Sequence, residues 1–171
     1  MSIEFIYDCM SVFDSFLRWL LPTPIIPEYI SEDVLSELIG ASEEQLPNEF
    51  LALLVAKHSS EVEFTHEALS DTYVIDSYYV IPGTTSSPKQ ASLKSHNVPV
   101  SGNVVGSFHS HPSGVLQPST EDLNMFQKYP VNIITGHPFN IETWKSFSST
   151  GENVTLTVIQ TEDSSIEDFD F

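Results

Sequence analysis

The stretch VVGSFHSHPSGVLQPSTEDLNMF, residues 104–126, constrains the fold more than any other part of the chain. Its opening residues read as a strand, and Pro112 stops it because proline brings no backbone N–H to a ladder. Its closing residues read as a helix starting near Ser119, a residue type favoured at helix N-caps. Between them, SGVLQP makes a loop that can fold back over the strand end. Alternate side chains of a strand share a face, so His109 and His111 point one way and Ser110 the other. Asp122 falls in the first helical turn, where unpaired backbone N–H groups and the helix dipole favour an ionised carboxylate.

Each of these residues also has a plain reading. Ser119-x-x-Asp122 nearly matches a helix capping box, and two histidines at a strand end could simply face water. Their co-occurrence favours a site: two ligands on one strand face, a loop closing over them and a carboxylate presented by the next helix. Two imidazoles and one carboxylate leave the fourth position of tetrahedral Zn²⁺ to water, the arrangement of a catalytic rather than a structural site. Zinc lowers the pKa of such a water to about 7. A base must then take the proton without ligating the metal. Glu49 stands out among the acids because it opens the apolar run EFLALLVAK, where a charge is otherwise out of place. An exposed residue following Pro47-Asn48 is the alternative, and spacing leaves both open.

The rest of the chain reads as a mixed α/β domain. SEDVLSELIGA has helical periodicity, with Ser31 as N-cap and Gly40 near the stop. TYVIDSYYVIP reads as a strand ending in a turn at Pro82-Gly83, KQASLKSH as a weaker strand, and VNIITGH, TWKSFSS and NVTLTVIQT as three further strands. The run at 49–57 fits a buried strand or a buried helix equally well. Before these, EFIYDCMSVFDSFLRWLL has the pattern of an amphipathic helix, and LPTPIIPEY is a stiff proline-rich connector. The division expected is therefore 1–30 as helix and connector, 31–161 as the catalytic domain, and 162–171 as an acidic, solvated tail.

Composition narrows the partners. Six Lys+Arg against 24 Asp+Glu give a formal charge of −18, which repels phosphate backbones and anionic lipid, so neither nucleic acid nor a membrane is expected. The single cysteine, Cys9, excludes an internal disulfide and a cysteine-rich zinc ribbon. Asp8, Asp14 and Arg18 interrupt the N-terminal apolar stretch, which also lacks the basic n-region of a secretory signal. A cytoplasmic protein is the expectation, either monomer or homodimer.

HSHPSGVLQPSTED has the form H-x-H-x₇-S-x₂-D, and in this it resembles the JAMM (MPN+) metalloproteases. The resemblance runs from about residue 31 to 161 and is strongest to the short archaeal members, with PNEFLALL, GSFHSHPS, STEDLNMF and ETWKSF in family order. It implies a cytidine-deaminase-like α/β fold with residues 49–57 as a strand. It further implies that His109, His111 and Asp122 bind one Zn²⁺, that Glu49 is the general base, and that Ser119 stabilises the oxyanion. The implied substrates are conjugates or linear fusions of ubiquitin-like small archaeal modifiers, cleaved after Gly-Gly, as by a desampylase. A protease trimming a sulfur-carrier protein is the alternative, and an inactive MPN scaffold a more distant one. A zinc nucleobase deaminase would need H-x-E and P-C-x-x-C, which this chain lacks. The substrate-gripping insertions of eukaryotic members are absent, since residues 83–102 are compact and TGHPFNIE is only a turn. His58, His66, His96 and His137 read as surface or structural histidines.

Overall fold

The computed structural model describes residues 25–63, 71–80, 85–87, 90–92 and 103–161. The N-terminal helix and the acidic tail expected from the sequence lie outside these residues, as do His66 and His96. A mixed eight-stranded sheet, two α-helices, a short 3-10 helix (Ser59–Glu61) and a small two-stranded sheet make up the described fold. The strands are β1 (Tyr29–Ser31), β2 (Leu51–His58), β3 (Tyr73–Tyr79), β4 (Thr85–Ser87), β5 (Gln90–Ser92), β6 (Val104–His111), β7 (Val131–Gly136), β8 (Trp144–Phe147), β9 (Asn153–Val154) and β10 (Thr157–Ile159). The helices are α1 (Glu32–Glu44) and α2 (Thr120–Phe126). In space the sheet order is β10-β1-β3-β2-β6-β7-β8-β9, with β4 and β5 paired only to each other.

Central strands β2 and β6 run antiparallel, while β6 and β7 are parallel and joined through α2. Parallel neighbours need such a crossover, because a tight turn cannot reverse the chain twice. Side-chain alternation then sorts the sheet into two faces. Ala52, Leu54, Ala56, Phe108 and Ile133 join Leu35, Leu38 and Ile39 of α1 in the main core. On the opposite face Ile134 packs with Phe126 of α2 and with Phe147, whose ring stacks on Phe126 at 5.8 Å. Burying a phenylalanine is worth about 1.5–3 kcal/mol, so Phe126 is the chief apolar anchor of a helix only two turns long. His109 and His111 share the α2 face, and Phe108 and Ser110 the α1 face.

A polar hub completes this attachment. The amide of Asn132, fully buried on β7, accepts the hydroxyl of Ser107 at 2.7 Å and donates to the carbonyl of Tyr129 at 3.1 Å. It thereby ties the exit of α2 to the strand carrying both histidines.

Several local expectations change. Residues 49–57 form a strand from Leu51 onward. α1 continues past Gly40 to Glu44, because Ala41 and Ser42 still face protein and the Ser42 hydroxyl bonds back to Leu38 O at 2.8 Å; Pro47 lies just beyond the end. Ser31 occupies the N-cap position of α1, but its hydroxyl pairs with that of Thr161 at 3.0 Å instead of capping. NVTLTVIQT is not one strand: buried Leu156 lies between β9 and β10, which pair at opposite edges of the sheet. KQASLKSH contributes only the short β5 among the described residues.

Candidate metal centre

β6 carries His109 and His111 to the end of the sheet, their rings edge to face with centroids 5.4 Å apart. α2 brings Asp122 over them. The Ser119 hydroxyl accepts the Asp122 N–H at 3.2 Å, and Asp122 Oδ2 accepts the Ser119 N–H at 2.7 Å, a complete capping box. The two readings of Ser119-x-x-Asp122 are thus compatible in one geometry: the bonds that start the helix also aim its carboxylate at the histidines. Asp122 Oδ1 lies 2.6 Å from His109 Nδ1, and Oδ2 lies 3.3 Å from His111 Nε2.

The donor set suits a small cation. One ligand atom each from His109, His111 and Asp122 falls within 4.8 Å of the others, and all three residues are buried. His111 Nδ1 donates to the Val115 carbonyl at 2.6 Å, which selects the tautomer whose Nε2 lone pair faces the centre. His109 is the more telling residue. Both its ring nitrogens are buried without a hydrogen-bond partner in the described structure, although one sits 2.6 Å from a carboxylate oxygen. That approach is an electrostatic contact between the ring and the carboxylate. A buried imidazole without hydrogen bonds is costly, and a shared cation would satisfy it. The arrangement therefore fits a metal ion held by His109, His111 and Asp122.

Glu49 is buried at the same centre, its Oε2 3.4 Å from His109 Nε2, while Asp122 meets the other ring nitrogen. Burial disfavours the His109 imidazolium, but the facing carboxylates of Asp122 and Glu49 outweigh it and push the pKa up to about 9. His111 is also raised, against burial, by Asp122 and by the Val115 carbonyl. Asp122 is held well below the usual carboxylate range: burial opposes this, but both histidines and the Ser119 N–H prevail. Two carboxylates around one imidazolium leave one negative charge, whereas a divalent cation between neutral imidazoles would cancel both, so metal binding here would release a proton.

The loop after β6 completes the frame. Gly114 has φ +76°, and a Cβ there would lie 3.0 Å from the His137 carbonyl. A Cβ on Gly136 would lie 2.9 Å from Gly114 Cα. This close approach seats the segment whose Val115 carbonyl orients His111. Sequence reasoning missed that carbonyl, since any residue type can supply one; the spaced glycines Gly114 and Gly136 were the available signal. His137 is exposed on the β7–β8 turn. His58 lies at the far end of β2, its Nε2 2.7 Å from exposed Asp71. Among the described residues no helix is long and apolar enough to cross a membrane.

Residues 31–148 match the family described as prokaryotic homologs of the JAB domain. A probable metalloprotease of Haloferax volcanii is 38% identical over 140 residues, covering 82% of this chain and 84% of the relative. Among solved structures, a JAB1/MPN domain protein from Archaeoglobus fulgidus superposes with a TM-score of 0.56 at 27% identity, over 77% of this chain and 99% of that one. A structure described as a metalloprotease-like zinc site, JAMM, in the proteasome and signalosome gives 0.53 at 27% identity, over 81% and 100%. The α/β architecture and the buried His109–His111–Asp122 cluster agree with these likenesses, and this chain belongs to the JAB-domain family of JAMM metalloproteases.

Proposed function

We propose that the chain is a zinc-dependent isopeptidase that releases ubiquitin-like small modifier proteins, with a flexible tail ending in Gly-Gly, from lysine conjugates or linear fusions. The observation that carries this is the convergence of His109, His111 and Asp122 on one buried point, with the Glu49 carboxylate beside it. A bound zinc ion would supply Lewis acidity, acidifying a water and polarising the scissile carbonyl. Glu49 takes the proton of the attacking water on its carboxylate and passes it to the departing lysine amine. The Ser119 hydroxyl accepts from Asp122 N, leaving its own proton to donate to the oxyanion. Both roles are consistent with the family likeness and with the burial of Glu49. In this reading residues 31–161 are the catalytic unit and the protein works in the cytoplasm.

The test combines metal analysis of the purified chain with hydrolysis of two substrates, a lysine-linked conjugate and a linear fusion of a β-grasp protein ending in Gly-Gly. One zinc per chain is expected, with cleavage abolished by a chelator and reduced by at least about a hundredfold in Glu49→Gln. Preference for the linear fusion would shift the reading to processing of a sulfur-carrier protein. Zinc binding without cleavage of either would contradict the proposal and favour a scaffold.

A further inference from the structure

We propose that Ser110 is a positioning residue that fixes the Glu49 carboxylate relative to the metal centre. The inference rests on the reading of Glu49 as the base and deepens it. Ser110 sits between the two histidines but faces the opposite side of the sheet, where it is fully buried. Its hydroxyl accepts the Phe50 N–H at 2.7 Å, and its own N–H donates to the Phe50 carbonyl at 2.9 Å. One residue thus holds both backbone polar groups of Phe50, the immediate neighbour of Glu49.

This tether matters because regular pairing stops short of Glu49. β2 begins at Leu51, and its ladder with β6 begins at the pair Leu51 and His109. Glu49 and Phe50 lie just beyond and need another attachment. The Phe50 ring supplies one by packing edge-on against Phe108 with centroids 6.2 Å apart, inside the core on the α1 face. Ser110 supplies the polar one. With Phe50 held from that side, Glu49 projects to the other, where its Oε2 reaches 3.4 Å from His109 Nε2. Base and ligands are thereby coupled through one strand: His109 and His111 face the ion while the residue between them holds the base in register.

Removing the hydroxyl leaves the buried Phe50 N–H without an acceptor, a penalty the chain relieves by shifting the start of β2. A shift of about an ångström at a catalytic group costs on the order of a hundredfold in rate. Threonine keeps the acceptor and suits a strand; cysteine keeps the size but accepts poorly.

The experiment uses the full zinc-loaded chain and the linear Gly-Gly fusion, following kcat, KM and zinc affinity. In Ser110→Ala, kcat is expected to fall by about ten- to a hundredfold, with KM and zinc affinity within about twofold of the parent. Ser110→Thr restores most of kcat, and Ser110→Cys, the fallback if the alanine variant fails to fold, falls between. An unchanged kcat in Ser110→Ala, a threonine variant as slow as the alanine one, or zinc affinity falling in step with kcat would each overturn the inference. Glu49→Gln separates the two levels: if it keeps turnover, the base assignment itself is wrong. If it is inert while Ser110→Ala runs at full rate, only the positioning role is lost.

Discussion

Two histidine–aspartate pairs in this molecule have almost the same separation and opposite physics. His58 Nε2 lies 2.7 Å from Asp71 Oδ1, and His109 Nδ1 lies 2.6 Å from Asp122 Oδ1. The Asp71 side chain is 96% exposed and that of Asp122 2%. His58 makes ordinary hydrogen bonds, through Nε2 to Asp71 and through Nδ1 with Ser60, and its ring meets Tyr73 edge-on. All its polar needs are met locally and in contact with water. His109 is buried with both nitrogens lacking such bonds and faces carboxylates on two sides. A short N···O distance therefore does not make a site. Buried donors from two elements that converge on one point, one of them an imidazole without hydrogen bonds, make a place for a cation.

The strongest way to break the contrast is Asp122→Ala, which removes a proposed ligand and half of the α2 capping box together. Zinc content and turnover should fall to background, with a lower melting temperature even without metal, since loss of a cap alone costs about 1 kcal/mol. Metal analysis and a thermal melt read both, and full zinc occupancy in this variant would contradict the assigned ligand set.

A smaller effect is expected from Gly136→Ala. Its Cβ would press on Gly114 and displace the loop bearing the Val115 carbonyl, so His111 loses its orienting partner. Disturbing such a partner lowers metal affinity by about 10- to 100-fold. A competition titration with a chromophoric chelator measures this, and unchanged affinity would show that the loop does not orient the ligand.

The pH dependence of the metal-free protein sharpens the contrast further. His109 has a pKa raised to about 9 in the fold, against about 6.5 in the unfolded chain. Between these values the folded state binds more protons than the unfolded state, so stability falls as pH rises. The contribution is complete below about pH 6.5 and gone above about pH 9. Chemical denaturation of the chelator-treated protein at pH 6 and 9 should show lower stability at the higher pH. Zinc-loaded protein should not show this loss, because the metal replaces the proton.

The smallest effect belongs to the other pair. Asp71→Ala should leave turnover unchanged and alter stability by less than about 1 kcal/mol, as usual for exposed ion pairs. Loss of activity there would mean that the exposed cluster takes part in function.

The part of the centre contained in one segment was legible in the sequence. His109 and His111 alternate on a strand, Pro112 ends it, and Ser119 with Asp122 opens a helix; period and punctuation are local rules. Glu49 drew notice as a charge at the head of an apolar run, but spacing left its role open, because its proximity to His109 depends on β2 pairing with β6 across some sixty residues; the family resemblance favoured the base. The roles of Ser110 and Val115 were hidden for a related reason, since each works through a backbone group of another segment. The extension of α1 past Gly40 and the division of NVTLTVIQT followed from tertiary burial of Ser42 and Leu156, which local propensity does not register.

The central claim is a single divalent ion shared by His109, His111 and Asp122, and anomalous diffraction at the zinc edge from crystals of the purified chain tests it most directly. The account predicts one strong peak within bonding distance, about 2.0–2.2 Å, of a nitrogen from each histidine and an Asp122 oxygen, with Glu49 near but not ligating. A peak elsewhere, or zinc-soaked crystals in which these three side chains bind no metal, would contradict it.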